Sequence, residues 1–254
     1  LKRTLLIDGD LIAYRLSAAV QRTYELPEGG KPVVVARPEE AQAGIEQDID
    51  KLVDQLKADR VIVCLSDDFE SYRKRLLPSY KAHRAKLQRP VLLYDMKDWL
   101  AERYEFDRRP GLEADDVMGI LATQETPDER RCIVSIDKDM AGVPGWLFNP
   151  HRDNKPRRIS EIDADRWFLR QTLTGDPVDG YKGCPGVGPR SAYVAAINEA
   201  EDRATMWSVV LEAYEAKGLT PDDALVQARM AYILRAENYD ADLKRVRLWE
   251  PPAA

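Results

Sequence analysis

No apolar stretch in this chain is long enough to cross a bilayer. The longest, such as Leu5 to Ile7 and Val61 to Leu65, fall far below the roughly 20 residues a spanning helix needs. The N-terminus carries no hydrophobic segment of signal-peptide length, so a soluble, cytoplasmic protein is expected. Cysteine is scarce. Cys64, Cys132 and Cys184 are odd in number and far apart, and the first two lie inside apolar runs where a buried thiol is ordinary. Neither a disulfide framework nor a zinc site is suggested. Internal repeats and low-complexity segments are missing too. Acidic residues are absent from Ser71 to Tyr94, a segment that holds Arg73, Lys74, Arg75, Lys81, Arg84, Lys86 and Arg89, interleaved with Tyr72, Tyr80 and His83.

What is present is a chain of 254 residues, 44% hydrophobic, which can bury one large core or a core plus a smaller companion. Its formal charge of -6 argues against a uniformly basic nucleic-acid-binding surface. The distribution matters more than the sum. The stretch from Ser71 to Tyr94 is a basic patch on an acidic chain, and the acids themselves are clustered in DGD, SDD, EADD, DKD and GDPVD. Each cluster taken alone is most simply a solvated turn or helix start.

Thr4 to Ile7, Val61 to Leu65 and Cys132 to Ile136 are short, β-branched and without polar alternation, the pattern of strands buried on both faces. Helical patterns lie between them, over Pro38 to Lys57 and Leu92 to Arg103. This alternation predicts an α/β fold with an open, mostly parallel central sheet flanked by helices. Each strand runs into acids: Asp8 and Asp10, Asp67 and Asp68, Asp137 and Asp139. A parallel sheet collects its carboxyl ends at one edge, so these acids are expected to meet.

Beyond a polar, basic connecting stretch from Asn149 to Arg158, helices are expected over Ser160 to Leu173, Ser191 to Ile197, Arg203 to Lys217 and Thr220 to Glu237. Thr220 with Asp223 forms a capping-box pattern and Pro221 suits the first helical turn. A short irregular tail from Trp249 to Pro252 closes the fold. In GLEADDV a helix begins whose spacing puts Glu113 and Asp116 on one face and turns Asp115 away. At least four acidic pairs near one edge repel strongly unless cations neutralise them, and hard ions with oxygen ligands, Mg2+ or Mn2+, are the natural choice. The segment from Asp179 to Ala192, with its glycines and prolines before Arg190, can hold phosphate oxygens on backbone N–H groups without reading bases.

The ordered set LIDGD, LSDD, LPSYKAHR, GLEADD, SIDKD and LTGDPVDGYKGCPGVGPRSA resembles the 5′-nuclease family of flap endonucleases and phage-type 5′ to 3′ exonucleases, from about Leu5 to about Ile197. The resemblance implies a nuclease core over residues 1–158, with a helical arch at about 71–90. A helical region over 159–254 would follow, holding a helix-three-turn-helix at about 167–197. Carried over by position, Asp8, Asp67, Glu113, Asp115 and Asp116 surround one divalent ion, and Asp137, Asp139, Asp176 and Asp179 complete a second site. Lys81 and Arg84 are implied to reach the scissile phosphate as the catalytic cations. Gly183, Gly186, Gly188 and Arg190 would grip duplex DNA, with K+ on the turn's carbonyls. Tyr14, with Arg15, matches an aromatic position near the terminal nucleotide, a core tyrosine being the alternative.

Two departures stand out. The spacing after Asp67 leaves Asp67 and Asp68 as alternatives for that ligand, and Asp10 stands where relatives commonly carry an uncharged residue, as an outer-shell group or a helix cap. The implied partner is DNA with a 5′ end, flap or single-strand to duplex junction, and the implied activity is Mg2+-dependent exonuclease or flap endonuclease cleavage by a monomer without an attached polymerase. The rival readings are a catalytically silent DNA-binding protein of the same fold, a related metal-dependent ribonuclease, and a small-molecule phosphatase. Intact acidic positions oppose the first, the glycine-rich turn the second, and the basic aromatic segment the third.

Overall fold

The buried strand β1 (Lys2–Asp8) ends where helix α1 (Gly9–Val20) begins, so Asp8 both closes the strand and caps the helix. A small antiparallel ribbon follows, β2 (Arg22–Tyr24) against β3 (Val33–Val35), then α2 (Pro38–Leu56) and β4 (Arg60–Leu65). The computed structural model describes residues 1–25, 30 and 32–252; the last two residues of the expected helical region lie outside this range. The basic segment contains α3 (Tyr72–Leu76) and a 3-10 turn over Ala82–Lys86. Next come α4 (Leu93–Arg103), β5 (Phe106–Arg108), α5 (Ala114–Thr123), β6 (Glu129–Val134), β7 (Gly145–Phe148) and β8 (Arg157–Ile159).

The six strands lie in the order β5-β4-β1-β6-β7-β8. All neighbours are parallel except β7 and β8, so the sheet is mostly parallel, as the strand-helix alternation predicts. Cys132 to Val134 falls within β6, while Ser135 and Ile136 lie just past its end. Period-two alternation divides the core. Leu5, Ile7, Val63, Leu65 and Val134 face a cluster with α1, α2 and α4, whereas Leu6, Ile62, Cys64 and Ile133 face α5 and the helices that follow. Cys64, Cys132 and Cys184 are buried single thiols.

The C-terminal helices are α6 (Glu161–Thr174), α7 (Ala192–Glu199), α8 (Arg203–Glu215) and α9 (Pro221–Ala231), and the short ribbon β9 (Tyr239–Asp240) with β10 (Arg245–Val246) follows. Each helix is opened by a side chain that accepts a backbone N–H: Ser160, Ser191, Asp202 and Thr220, the last in the expected capping box. The largest difference from the expected boundaries is at the end of α9. The helix starting at Pro221 stops at Ala231, well short of Glu237, because the next residues are held extended by tertiary contacts: Arg73 donates to the Tyr232 carbonyl at 2.7 Å, and Leu234 N–H donates to Asp116 at 3.1 Å. Nor is the tail loose, since Trp249 is 4% exposed and packs edge-on against Phe168 and Trp207. Among the described residues no helix is long and apolar enough to cross a membrane.

Candidate active site

The carboxyl ends of β1, β4 and β6 open into a cleft of about 230 Å3, lined by Asp8, Asp10, Glu113, Asp115, Asp137 and Asp179 and covered by Lys81 and Arg84. Asp8 is buried, accepting from Leu11 N–H at 3.0 Å and from the Ser135 hydroxyl at 3.2 Å. Burial, with Asp10 and Asp137 nearby, pushes its carboxyl up to about 7 despite those two hydrogen bonds. Asp115 is raised well above the carboxylate range by burial and by Asp8, Asp137 and Glu113. Glu113 goes the other way. Burial opposes its charge, but the Lys81 ammonium at 2.6 Å, the Arg73 guanidinium at 2.9 Å and the Tyr80 hydroxyl at 2.9 Å outweigh it and hold the carboxyl at about 2.

Helix spacing alone turns Asp115 away from Glu113, yet both line the cleft. Glu113 is the N-cap of α5, with extended backbone (φ -87°, ψ 158°), so the helical rotation does not apply to it. Asp116 is the residue that leaves. It is 0% exposed, with both oxygens on Arg73 at 2.6 and 2.8 Å. Asp67 is also placed elsewhere: its oxygens accept from Gly111 N–H at 2.7 Å and Phe69 N–H at 3.0 Å, fastening the loop after β4. Asp68 does not replace it, being paired with the buried Lys97, which also reaches Asp10 at 3.0 Å.

A second group lies beside the first. Lys138 bridges Asp139 at 2.9 Å and Asp176 at 2.7 Å, and Gln171 donates to Asp139 at 2.7 Å. Burial and Asp137 raise the Asp139 carboxyl; burial acts the same way on Asp176, but Lys138 and the N–H groups of Val178 and Asp179 pull it down. Among the described residues no three His, Cys, Asp or Glu side chains are grouped so as to hold an ion as they stand, because Lys81, Arg84 and Lys138 are interleaved with the acids. The donor set itself, oxygen ligands with two carboxylates driven toward protonation by burial and by neighbouring acids, fits a hard divalent cation.

The basic segment expected to form an arch holds two short helical turns, not one long helix, and is drawn down onto the cleft. Lys81 N–H donates to the Asp179 carbonyl at 2.8 Å, and Arg84 reaches the Asp179 carboxylate at 2.7 Å. Gly180 makes this approach possible: its φ is 81°, and a Cβ there would sit 2.9 Å from the Ser79 carbonyl oxygen. The patch is less basic at its surface than its sequence indicates, since Arg73 is 2% exposed. Tyr14 is 49% exposed, which removes the core reading, and it lines a neighbouring groove with Arg84 and Arg89. Arg15 instead pairs with Asp48 of α2.

In the turn between α6 and α7, Gly186, Gly188 and Arg190 are exposed, whereas Gly183 is buried with its N–H donated to Gln227 at 2.8 Å. Its place is in the packing of the turn on α9. Site residues that sequence reasoning passed over are Ser135, Lys138 and Gln171. The first two stand within or beside the quoted SIDKD motif, but no spacing rule marks Gln171, which reaches Asp139 from α6.

An α/β sheet whose carboxyl edge gathers acids under a lysine and an arginine defines the class, a fold suited to divalent-ion chemistry on phosphate esters. The family model of the 5′-3′ exonuclease N-terminal, resolvase-like domain matches residues 3–144. The exonuclease of Escherichia phage T7 is 32% identical over 221 residues, spanning 75% of this chain and 74% of that protein. A 5′-3′ exonuclease of Mycobacterium tuberculosis is 30% identical, spanning 74% and 68%. The solved structure of the phage T5 D15 protein co-crystallised with metal ions superposes with a TM-score of 0.66 at 14% identity, covering 91% of this chain and 90% of that one. The chain therefore belongs to the 5′-nuclease family, whose members include 5′-3′ exonucleases and flap endonucleases.

Proposed function

We propose that this protein is a structure-selective 5′ nuclease, acting as a 5′ to 3′ exonuclease or flap endonuclease, that hydrolyses DNA phosphodiester bonds with two divalent ions, Mg2+ or Mn2+. The observation that carries the reading is the cleft under Lys81 and Arg84, which gathers Asp8, Glu113, Asp115, Asp137 and Asp179 and in which burial and neighbouring acids raise the Asp8 and Asp115 carboxyls. Asp8, Glu113, Asp115 and Asp137 would hold one ion, and Asp139, Asp176 and Asp179 the other. When bound, such ions supply Lewis-acid activation of water and stabilise the leaving oxygen. Asp67 and Asp116 act in this reading as supports of the cleft, the one holding the loop at Gly111 and the other holding Arg73.

The chain's own cations do the rest. Lys81 and Arg84, both engaged with carboxylates, exchange those partners for the phosphate and offset the charge that grows on it. Backbone N–H groups around Gly186 and Gly188, with Arg190, take phosphates of the duplex, and the turn's carbonyls are the place for K+. Catalysis in this reading belongs to residues 1–158 and duplex binding to the helices after them. Contacts to the backbone alone select structure over sequence, and a frayed 5′ end or flap reaches the cleft at least cost. Supporting it among relatives, a Flap endonuclease Xni of Shewanella pealeana is 29% identical over 201 residues. A solved phage T5 D15 flap endonuclease is a pseudo-enzyme-product complex with DNA and metal ions.

The test is a 5′-labelled flap duplex incubated with Mg2+ beside a blunt and a gapped duplex. Short 5′ products that vanish with EDTA are expected, and the substrate ranking separates exonuclease from flap endonuclease. DNA bound but left intact in both Mg2+ and Mn2+ identifies the catalytically silent protein and overturns the reading.

A further inference from the structure

The polar, basic stretch from Asn149 to Arg158 is not used by the acidic cleft. It forms one wall of a second cleft, of about 450 Å3, whose other wall is α6. Asp137 lines both clefts, so the second begins where the first ends. The loop after β7 leaves the sheet at the same carboxyl edge as Asp8 and Asp137, which places the new cleft along the line of the active site.

Its charge is of the opposite sign. Arg152 and Arg157 come from the loop and β8, and Arg166 and Arg170 stand one turn apart on α6, facing the same cleft. Two of the four have acidic partners at its rim: Arg157 lies 3.8 Å from Asp153, and Arg166 lies 3.1 Å from the exposed Asp163. Half-exposed pairs of this kind are weak, worth on the order of 1 kcal/mol, and a phosphate can compete for them. Arg152 and Arg170 make no ion pair among the described residues, Arg170 lying over the Trp167 ring at 6.0 Å. The cleft wall is also firm, since Arg166 donates to the Ala200 carbonyl at 2.8 Å. Two N–H donors of this wall, Arg166 Nε and Trp167 Nε1, are shielded from solvent and have no partner.

Four guanidinium groups on two walls of one trough suit a run of phosphates better than a single small anion. Arg152, Arg157 and Arg170 offer planar forks to successive phosphodiesters, with Arg166 adding charge from the wall, and none has a means of reading bases. We propose that this cleft binds the sugar-phosphate backbone of the DNA strand on the β8 side of the scissile position. The proposal rests on the nuclease reading above, and it adds a binding surface distinct from the glycine-rich turn.

The experiment compares the full chain with Arg152→Ala/Arg170→Ala and with the control Arg3→Ala/Arg130→Ala, which removes equal charge from the opposite ends of the strands. Binding of a labelled flap duplex is followed by anisotropy in EDTA over a salt series, with thermal melting to confirm folding. Loss of two phosphate contacts flattens the slope of log Kd against log salt by roughly 2 and weakens binding tenfold or more at low salt. Arg152→Glu, at an exposed position, gives a loss of the same kind by itself. Wild-type affinity and slope in the double variant, or an equal loss in the control, overturns the proposal while leaving the nuclease reading intact. A wild-type chain that neither binds nor cuts the flap sinks that reading, and this one with it.

Discussion

The Arg73 guanidinium and the Asp116 carboxylate form a two-pronged ion pair at 2.6 and 2.8 Å, with Asp116 entirely shielded from solvent. The pair joins three parts of the chain. Arg73 lies in the basic segment, Asp116 on the helix that begins at the cleft, and the backbone groups they hold, at Met230, Tyr232 and Leu234, follow or end α9. Arg73→Met leaves the buried Asp116 without its charged partner, with only the Leu234 N–H still donating to it, and is expected to lower stability by about 3–5 kcal/mol. Urea unfolding measures it. Asp116→Asn should likewise lower the midpoint with and without Mn2+. A variant of unchanged stability whose Mn2+ affinity falls would return Asp116 to the metal ligands.

Burial, and then Asp8, Asp137 and Glu113, oppose a charge on Asp115. Asp115→Asn removes that conflict at almost constant shape. The melting temperature in EDTA should rise, while Mg2+-dependent cleavage is lost and flap binding in EDTA is kept. Wild-type cleavage by this variant would contradict its assignment to the cleft's chemistry.

Gly180→Ala introduces a side chain at φ 81° against the Ser79 carbonyl. The strained backbone costs about 1–3 kcal/mol. Because the same turn holds Lys81 against Asp179, cleavage should fall by more than the stability change alone explains. Single-turnover rates at saturating DNA, measured well below the melting temperature, decide between a local and a global effect.

Glu129 gives a pH dependence far from the cleft. Burial opposes its charge, but the Thr4 hydroxyl and the guanidinium groups of Arg131 and Arg60 hold it at about 2, against an ordinary 4.5. A folded-state value below the unfolded one means that the stabilisation is complete above about 4.5 and is lost as the pH falls toward 2. At one pH unit per 1.36 kcal/mol the contribution is at most about 3–4 kcal/mol. The stability gap between wild type and Glu129→Gln should therefore be widest near neutral pH and close through that window. A gap independent of pH from 7 to 3 would show that Glu129 acts by shape alone.

The sheet was legible because parallel strands buried on both faces need uninterrupted apolar runs, and Leu5 to Ile7, Val61 to Leu65 and Cys132 to Val134 can hardly be anything else. The helix starts were equally plain at Ser160, Ser191 and Thr220, where a side chain caps the first turn locally. The end of α9 was not. Nothing in the sequence after Ala231 breaks a helix, and the residues stay extended because Arg73 and Asp116, far away in the chain, take their backbone groups. The same limit applied to the acids. A pattern of residue types shows that carboxylates meet at one edge, but whether a given oxygen faces the cleft or a buried guanidinium depends on neighbours that spacing does not name.

The acidic cluster was thus determined by the sequence as a set and by the tertiary structure as individuals. Strand ends alone bring Asp8 and Asp137 to one edge, since the sheet's topology leaves them nowhere else to go. Only packing decided that Asp10 and Asp115 line the cleft, that Asp116 turns to Arg73, and that Asp67 fastens a loop. The physical reason is range: strand and cap signals are settled by covalent geometry and nearby solvation, whereas a buried charge takes its orientation from whichever partner compensates its desolvation.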